Sequence, residues 1–173
     1  MSAVVLRSEK FEVREVPVVT RDGATVTKHV VVHPGAVALL PVLDDGRVVL
    51  IRNTRFAVGR TLWEVAAGTL EIGEEPMACA ARELREETGY EAATLEPLVQ
   101  FYSAPGFCTE LLHVFVATGL RQVGQALEAT EHIEVHPVTV AELERMLDAG
   151  DFVDAKTLTT VLLWLRRRER VSR

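Results

Sequence analysis

Cysteine is scarce: the chain of 173 residues has two, Cys79 and Cys108. They are too few and too far apart for a disulfide framework or a cysteine-ligated zinc site. Long apolar runs are missing, and nothing approaches the roughly 18 residues of a membrane span. The opening MSAVVLRSEKFEVREV lacks a basic flank followed by an apolar stretch, so no secretory leader is expected. No linker, internal repeat or low-complexity tract interrupts the chain. Positive charge is short as well: 19 Lys and Arg against 25 Asp and Glu give a net charge of −6. That balance argues against a general nucleic-acid binder, whose affinity comes from neutralising phosphates. What remains, 48% apolar and 25% charged, is the composition of one globular domain. A cytoplasmic address, without membrane or nucleic acid as partner, follows. The last eight residues, RRRERVSR, hold five Arg and one Glu, so the excess acid is gathered elsewhere.

β-branched runs dominate the first two thirds of the chain. Residues 11–19 and 24–32 read as strands joined at Arg21-Asp22-Gly23, where Asp-Gly tolerates positive φ. Residues 36–42 and 48–52 flank a second hairpin signal, Asp44-Asp45-Gly46. Further strands are expected at 62–66, 93–102, 111–118 and 133–136. A helix is predicted over 76–88, opened by Pro76 at a first-turn position and stopped by Gly89. Thr139 and Glu142 form a capping box for a helix ending before Gly150. Asp154 caps a last helix whose Leu158, Val161, Leu162 and Leu165 share one stripe, with the Arg166–Arg168 run complementing its C-terminal dipole. The connections at 52–61, 103–110 and 119–131 are long enough to be working loops. The order of elements predicts a mixed α/β or α+β domain, not a regular βαβ alternation.

From Gly68 the chain reads GTLEIGEEPMACAARELREETGY. Glu83 and Glu87 stand at i and i+4 with Glu86 at i+3, so the three carboxylates crowd one helix face. Like charges at that spacing destabilise a helix by about 0.2–0.5 kcal/mol per pair, and they sit at the dipole's unfavourable end. Arg82 offsets part of this and is within reach of Glu74, Glu75 and Glu86. Glu71, Glu74 and Glu75 in the preceding loop add to the excess. Carboxylates converging without enough basic partners point to Mg²⁺ or Mn²⁺, hard cations that prefer oxygen ligands.

The spacing Gly68, five residues, Glu74, seven residues, Arg82-Glu83-Leu84, Glu86-Glu87, Gly89 resembles the Nudix box. The one soft departure is Tyr90, a packing position usually aliphatic. The resemblance implies a Nudix-type α/β/α sandwich with a mixed sheet over 33–173, preceded by an N-terminal β-rich segment, 1–32. It implies hydrolysis of a nucleoside diphosphate linked to a second moiety, using two or three Mg²⁺ or Mn²⁺ ions. Glu83 and Glu87 would be direct ligands, Glu86 a bridging or water-activating group, and the Ala67 carbonyl a further ligand. Arg82 and Glu74 would brace the loop against the helix, with Gly68, Leu84 and Gly89 as its structural positions. Metal ions would neutralise the diphosphate and lower the pKa of an attacking water.

Phe101-Tyr-Ser-Ala-Pro-Gly-Phe-Cys-Thr-Glu110 resembles the Pro-Gly signature of the ADP-ribose pyrophosphatases, with Ala104 replacing the usual Ser. His33–Ala38 and Arg52-Asn-Thr-Arg55 are similar to that subfamily too. The resemblance implies cleavage of ADP-ribose to AMP and ribose 5-phosphate. Arg52, Arg55, Glu71, Ser103 and Pro105 would contact the substrate. Glu86, Glu110 and Glu131, with Glu128 less favoured, are the alternatives for the base. The relatives are homodimers with exchanged N-terminal strands whose partner arginine holds adenine. Here Thr27-Lys28-His29 offers only Lys28 for that role. Rival readings are another nucleoside diphosphate sugar such as GDP-mannose or ADP-glucose, a sanitising enzyme for oxidised nucleoside triphosphates, and a non-catalytic nucleotide-sensing module. Trp63 and Trp164 are read as core or interface anchors, and Cys79 as a buried inert thiol. Cys108, in the substrate loop, is the more oxidisable of the two.

Overall fold

The alternation along one central strand builds the sandwich. In the computed structural model, which describes residues 3–129 and 131–171, β4 (Ala36–Pro41) is buried along its whole length. Its Val37 and Leu39 enter one apolar cluster, with Cys79, Ala80 and Leu84. Ala36, Ala38 and Leu40 enter a second cluster, with Leu143, Met146, Val161 and Trp164. A period of two thus gives each face of the strand its own helical cover.

Three sheets share the chain. β1 (Ala3–Arg7), β2 (Glu12–Val19) and β3 (Thr25–Val32) form an antiparallel N-terminal sheet, turned at Gly23 with φ 85°. β7 (Ala66–Thr69), β4, β9 (Leu111–Gln122) and β8 (Tyr90–Tyr102) lie in that order, with β4 and β9 parallel and the other pairs antiparallel. β10 (Ile133–Val138), β5 (Val48–Arg55) and β6 (Arg60–Glu64) form the third sheet. α1 (Pro76–Glu83) covers one side, and α2 (Val140–Ala149) and α3 (Ala155–Val171) the other. The N-terminal sheet is pinned to the Pro-Gly loop: the Val31 amide donates to the Phe107 carbonyl at 2.8 Å, and the Thr109 amide to the Val31 carbonyl at 2.9 Å.

The caps agree with the sequence. Pro76 opens α1, the Thr139 hydroxyl accepts the Glu142 amide at 3.2 Å, and Asp154 Oδ2 accepts the Thr157 amide at 3.1 Å. Five local expectations are corrected. The helix over 76–88 is α-helical only to Glu83; Leu84–Thr88 widen into a π turn, where the Thr88 hydroxyl donates to the Leu84 carbonyl. The strand at 62–66 breaks at Val65, so β6 and β7 belong to different sheets. The loop at 52–61 is a hairpin, with β5 running to Arg55 and β6 resuming at Arg60 after a four-residue turn at 56–59. The loop at 119–131 starts late, because β9 reaches Gln122. The stripe on α3 is rotated: Thr157, Thr160, Val161 and Trp164 are buried, while Leu158 is 37% and Leu162 47% exposed. A polar anchor turns the helix, since the Thr157 hydroxyl accepts the Val65 amide at 3.0 Å inside the core. Ser172 and Arg173, the end of the arginine-rich segment, lie outside the described residues. No helix among those described is long and apolar enough to cross a membrane.

The rotated face makes a prediction. Leu162→Gln should change unfolding free energy by no more than about 0.5 kcal/mol, whereas Trp164→Ala should cost about 3–5 kcal/mol. Urea titration of both variants checks it.

Candidate active site

One arginine organises the acidic segment. Arg82 bonds both carboxylate oxygens of Glu74, through Nε at 3.1 Å and Nη2 at 3.0 Å. Its Nη1 donates to Glu83 at 2.7 Å and to Glu86 at 3.1 Å. Glu74 in turn accepts the Glu71 amide at 3.0 Å. The loop is therefore held to the helix as the sequence pattern anticipates. The Arg82 guanidinium holds the Glu74 carboxyl down at about 2. Burial, with Glu74 beside it, pushes the Cys79 thiol up to about 12, which makes it inert.

Two glycines let backbone come close. A Cβ on Gly68 would lie 1.9 Å from the Glu83 carboxyl carbon, so only glycine admits that carboxylate against β7. Gly89 has φ 74°, and a Cβ there would also stand 2.9 Å from the Gln125 amide. The loop after β9 docks there through the Val123 and Gly124 amides, which donate to the Gly89 carbonyl at 2.8 and 3.1 Å, and through Gln125 Nε2, which donates to the Glu87 carbonyl at 2.7 Å.

The result is a cleft of about 360 Å³ whose walls include Arg55, Ala67, Gly68, Glu71, Arg82, Glu83, Glu86, Glu87, Glu128 and Glu131. Glu87 is 3% exposed and accepts the Ala67 amide at 2.8 Å. Burial, with Glu83 and Glu131 nearby, pushes its carboxyl up to about 8 despite that amide. Burial also raises Glu83, against the pull of Arg82. Among the described residues no three His, Cys, Asp or Glu side chains stand ready as a metal cage; Arg82 holds Glu83 and Glu86 instead. The donor set nonetheless fits a divalent cation. Glu83 and Glu87 are hard oxygen donors kept near each other at a cost that a cation removes. In an extended strand a residue's N–H and C=O face the same edge, so the Ala67 carbonyl faces the side on which its amide meets Glu87.

The other anticipated residues separate from this group. Arg52 lies on the opposite face of β5 from Arg55; its guanidinium stacks 5.4 Å over Trp63, and it lines a second hollow with Thr54, Thr61 and Glu134 that shares Glu131 with the cleft. Ser103, Pro105 and Glu110 sit at the Pro-Gly turn, where Glu110 stands 3.7 Å from His33 Nδ1 and does not line the cleft. Lys28 pairs with Val16 in the N-terminal sheet. The lysine of that sheet's connections that does border the cleft is Lys10, beside Glu9. Sequence reasoning missed Lys10, whose only signal is its place in the β1–β2 turn. It also missed Glu64. That carboxylate is 1% exposed and takes Arg55 Nε at 2.8 Å and Nη2 at 2.6 Å. A lone charge in the apolar run Leu62-Trp63-Glu64-Val65 was the available sign.

The profile of the NUDIX domain matches residues 32–161. The chain is 41% identical over 138 residues to the ADP-ribose pyrophosphatase of Bacillus subtilis, covering 79% of this chain and 75% of that protein. It is 40% identical over 157 residues to the ADP-ribose pyrophosphatase of Mycobacterium tuberculosis, covering 88% and 75%. A solved structure described as an ADP compounds hydrolase superposes with a TM-score of 0.83 at 25% identity, covering 98% of this chain and 94% of that one.

Two predictions follow from the geometry. Gly68→Ala should displace the Glu83 carboxylate and weaken Mn²⁺ binding by about tenfold or more, read by calorimetry on protein whose circular dichroism is unchanged. Glu74→Gln should lower stability by about 1–2 kcal/mol at neutral pH. Because Glu74 is depressed below its unfolded value, its contribution is fully present above pH about 4.5 and fades as pH falls towards about 2. Denaturation of wild type and variant across that range checks the convergence.

Proposed function

The chain belongs to the NUDIX family, and on that premise we propose that it hydrolyses the diphosphate linkage of a nucleoside diphosphate sugar, ADP-ribose to AMP and ribose 5-phosphate. The observation that carries this reading is the pairing, in one cleft, of two buried carboxylates short of positive charge with the Arg55 guanidinium. Members of the family generally need divalent metal ions; we assign Mg²⁺ or Mn²⁺, two or three ions, to Glu83, Glu87 and the Ala67 carbonyl, with Glu86 beside them. Metal ions there would supply charge neutralisation and a water of lowered pKa. The chain's own residues supply the rest. Arg55 spends Nε and Nη2 on Glu64, which leaves Nη1 for a phosphate oxygen. Arg82 brakes the movement of Glu83 and Glu86 by tying both to the Glu74 loop.

Of the three candidate bases we favour Glu131. It lines the cleft with Glu83 and Glu87, and Oε2 is held by the Glu128 amide at 2.9 Å, so Oε1 is available to take the proton of the attacking water. Glu110 is turned to His33, and Glu86 is engaged by Arg82. Lys10, and from a second subunit Lys28, are the cations we assign to the far end of the substrate. Val4, Leu6 and Val19 of the N-terminal sheet are 44%, 50% and 71% exposed. A second copy covering them is our reading of that segment, 1–32, beside a catalytic unit of 33–173. Two free cysteines suit a reducing, cytoplasmic compartment.

Turnover should be measured with Mg²⁺ or Mn²⁺ on ADP-ribose, GDP-mannose and ADP-glucose, with products separated by chromatography. ADP-ribose is expected to be cleaved fastest; an equal or lower rate sinks the substrate assignment, and no hydrolysis of any of them favours a binding module. Glu87→Gln should cut kcat by roughly 100-fold or more while circular dichroism stays unchanged. Glu131→Gln should slow turnover strongly and Glu110→Gln weakly, and the reverse order moves the base to Glu110. Sedimentation at micromolar concentration should show a dimer; a monomer refutes the second copy.

A further inference from the structure

A half-buried lysine outside the acidic box has no role in the reading above. Lys156 lies on the first turn of α3, its side chain 13% exposed. Its ammonium donates to Glu64 Oε2, the oxygen that also receives Arg55 Nη2, and to Asp154 Oδ2 at 2.8 Å. Asp154 Oδ2 also accepts the Thr157 hydroxyl at 2.6 Å, and that hydroxyl accepts the Val65 amide at 3.0 Å. The circuit closes on itself, because Val65 follows Glu64. The start of α3 is thus fixed to two adjacent residues of the chain that leaves β6.

We propose that Lys156 is a positioning residue for Arg55: by sharing the Glu64 carboxylate it fixes the guanidinium that faces the cleft. The inference rests on the assignment of Arg55 to the substrate's diphosphate. Stability alone does not account for the arrangement. Buried ion pairs contribute little net free energy, and apolar residues of the same volume do as well or better. What such a set does supply is direction. Arginine has substantial rotamer entropy to lose on being held, and a fork-to-fork pair with an immobile carboxylate removes it before any ligand arrives. Glu64 is immobile because its second oxygen is bonded twice. Without the ammonium, buried Glu64 and half-buried Asp154 would be two neighbouring carboxylates with one arginine between them and the cleft. Arg55 would then be drawn inward to serve both, away from the diphosphate. Lys156 itself never reaches the cleft lining, so it acts through Arg55.

Lys156→Met keeps the aliphatic stem and removes the charge. It should raise KM about tenfold for the diphosphate substrate with kcat within about twofold of wild type. Arg55→Ala/Lys156→Met should show the KM of Arg55→Ala alone; additive effects would assign Lys156 a merely structural part and overturn the proposal. Thr139→Ala serves as the control, lowering Tm by loss of the α2 cap while KM stays unchanged. A readout without turnover is the Arg55 Nε–H resonance, assigned by its loss in Arg55→Ala. It should be sharp and slow to exchange in wild type and broadened or lost in Lys156→Met. An unaltered resonance overturns the proposal whatever the activity. If the resonance behaves as expected but Arg55→Ala leaves KM unchanged, the assignment of Arg55 to the substrate fails while the lock stands. Should Lys156→Met not fold, Lys156→Gln is put through the same measurements.

Discussion

Everything around the cleft follows from burying carboxylates. Glu64, Glu83 and Glu87 are all at most 9% exposed, and each is compensated differently. Glu64 has two cations, Arg55 and Lys156. Glu83 has part of one, since Arg82 divides itself among Glu74, Glu83 and Glu86. Glu87 has a backbone amide and, among the described residues, no cation paired with it. Charge in a low-dielectric wall is costly unless paired, and compensation falls along this series from Glu64, outside the cleft lining, to Glu83 and Glu87 within it. The gradient separates scaffold from function: Glu64 is fully paired and holds an arginine, while Glu87 is left wanting a positive charge.

The fold makes that gradient possible by fixing backbone before side chains. β4 pairs with β7 through Ala38 and Ala67, and β7 carries the loop that Arg82 then ties to α1. Gly68 removes the one Cβ that would keep Glu83 out. The widened turn at Leu84–Thr88 carries Glu86 and Glu87, and Gly89 admits the 123–131 loop that brings Glu131 to the same cleft. On the other face, α3 is oriented by the Thr157 hydroxyl and not by its leucines. Helices on both sides of the sandwich therefore act on one cleft, α1 directly and α3 through Glu64.

How much of this was legible depends on the range of the interaction. The acidic box was readable because its residues meet at spacings within one helix and the loop before it. Caps at Thr139 and Asp154 and the Asp22-Gly23 turn were readable for the same reason. Arg52 and Arg55 were not distinguished, although the period of two along a strand puts positions three apart on opposite faces. The change from α to π geometry after Glu83 is announced by no local propensity. The face of α3 depends on a bond between Thr157 and Val65, 92 positions apart. Lys10 and Glu64 carry no motif at all. Their places follow from which turn approaches the cleft and which strand is buried, and both are set by long-range packing.

The distribution of charge then bears on how an acidic chain accepts an anion. The net charge of −6 would repel a diphosphate if it were spread evenly over the surface. Instead, the strongest carboxylate partners are used up inside: Glu74 by Arg82, Glu64 by Arg55 and Lys156. Arg55 meets the cleft with one nitrogen uncommitted, and Glu83 and Glu87 are the groups whose burial favours an added cation. Affinity for the substrate's charge is thus divided between a fixed guanidinium and whatever cations the two glutamates gather. A fixed donor loses little entropy on binding and discriminates by geometry, whereas gathered cations respond to their concentration in solution. On the proposed assignments, orientation of the diphosphate is a property of β5, β6 and α3, and its charge neutralisation a property of the box. The first is anchored in β5, β6 and α3 and the second between β7 and the π turn, and they meet at the cleft.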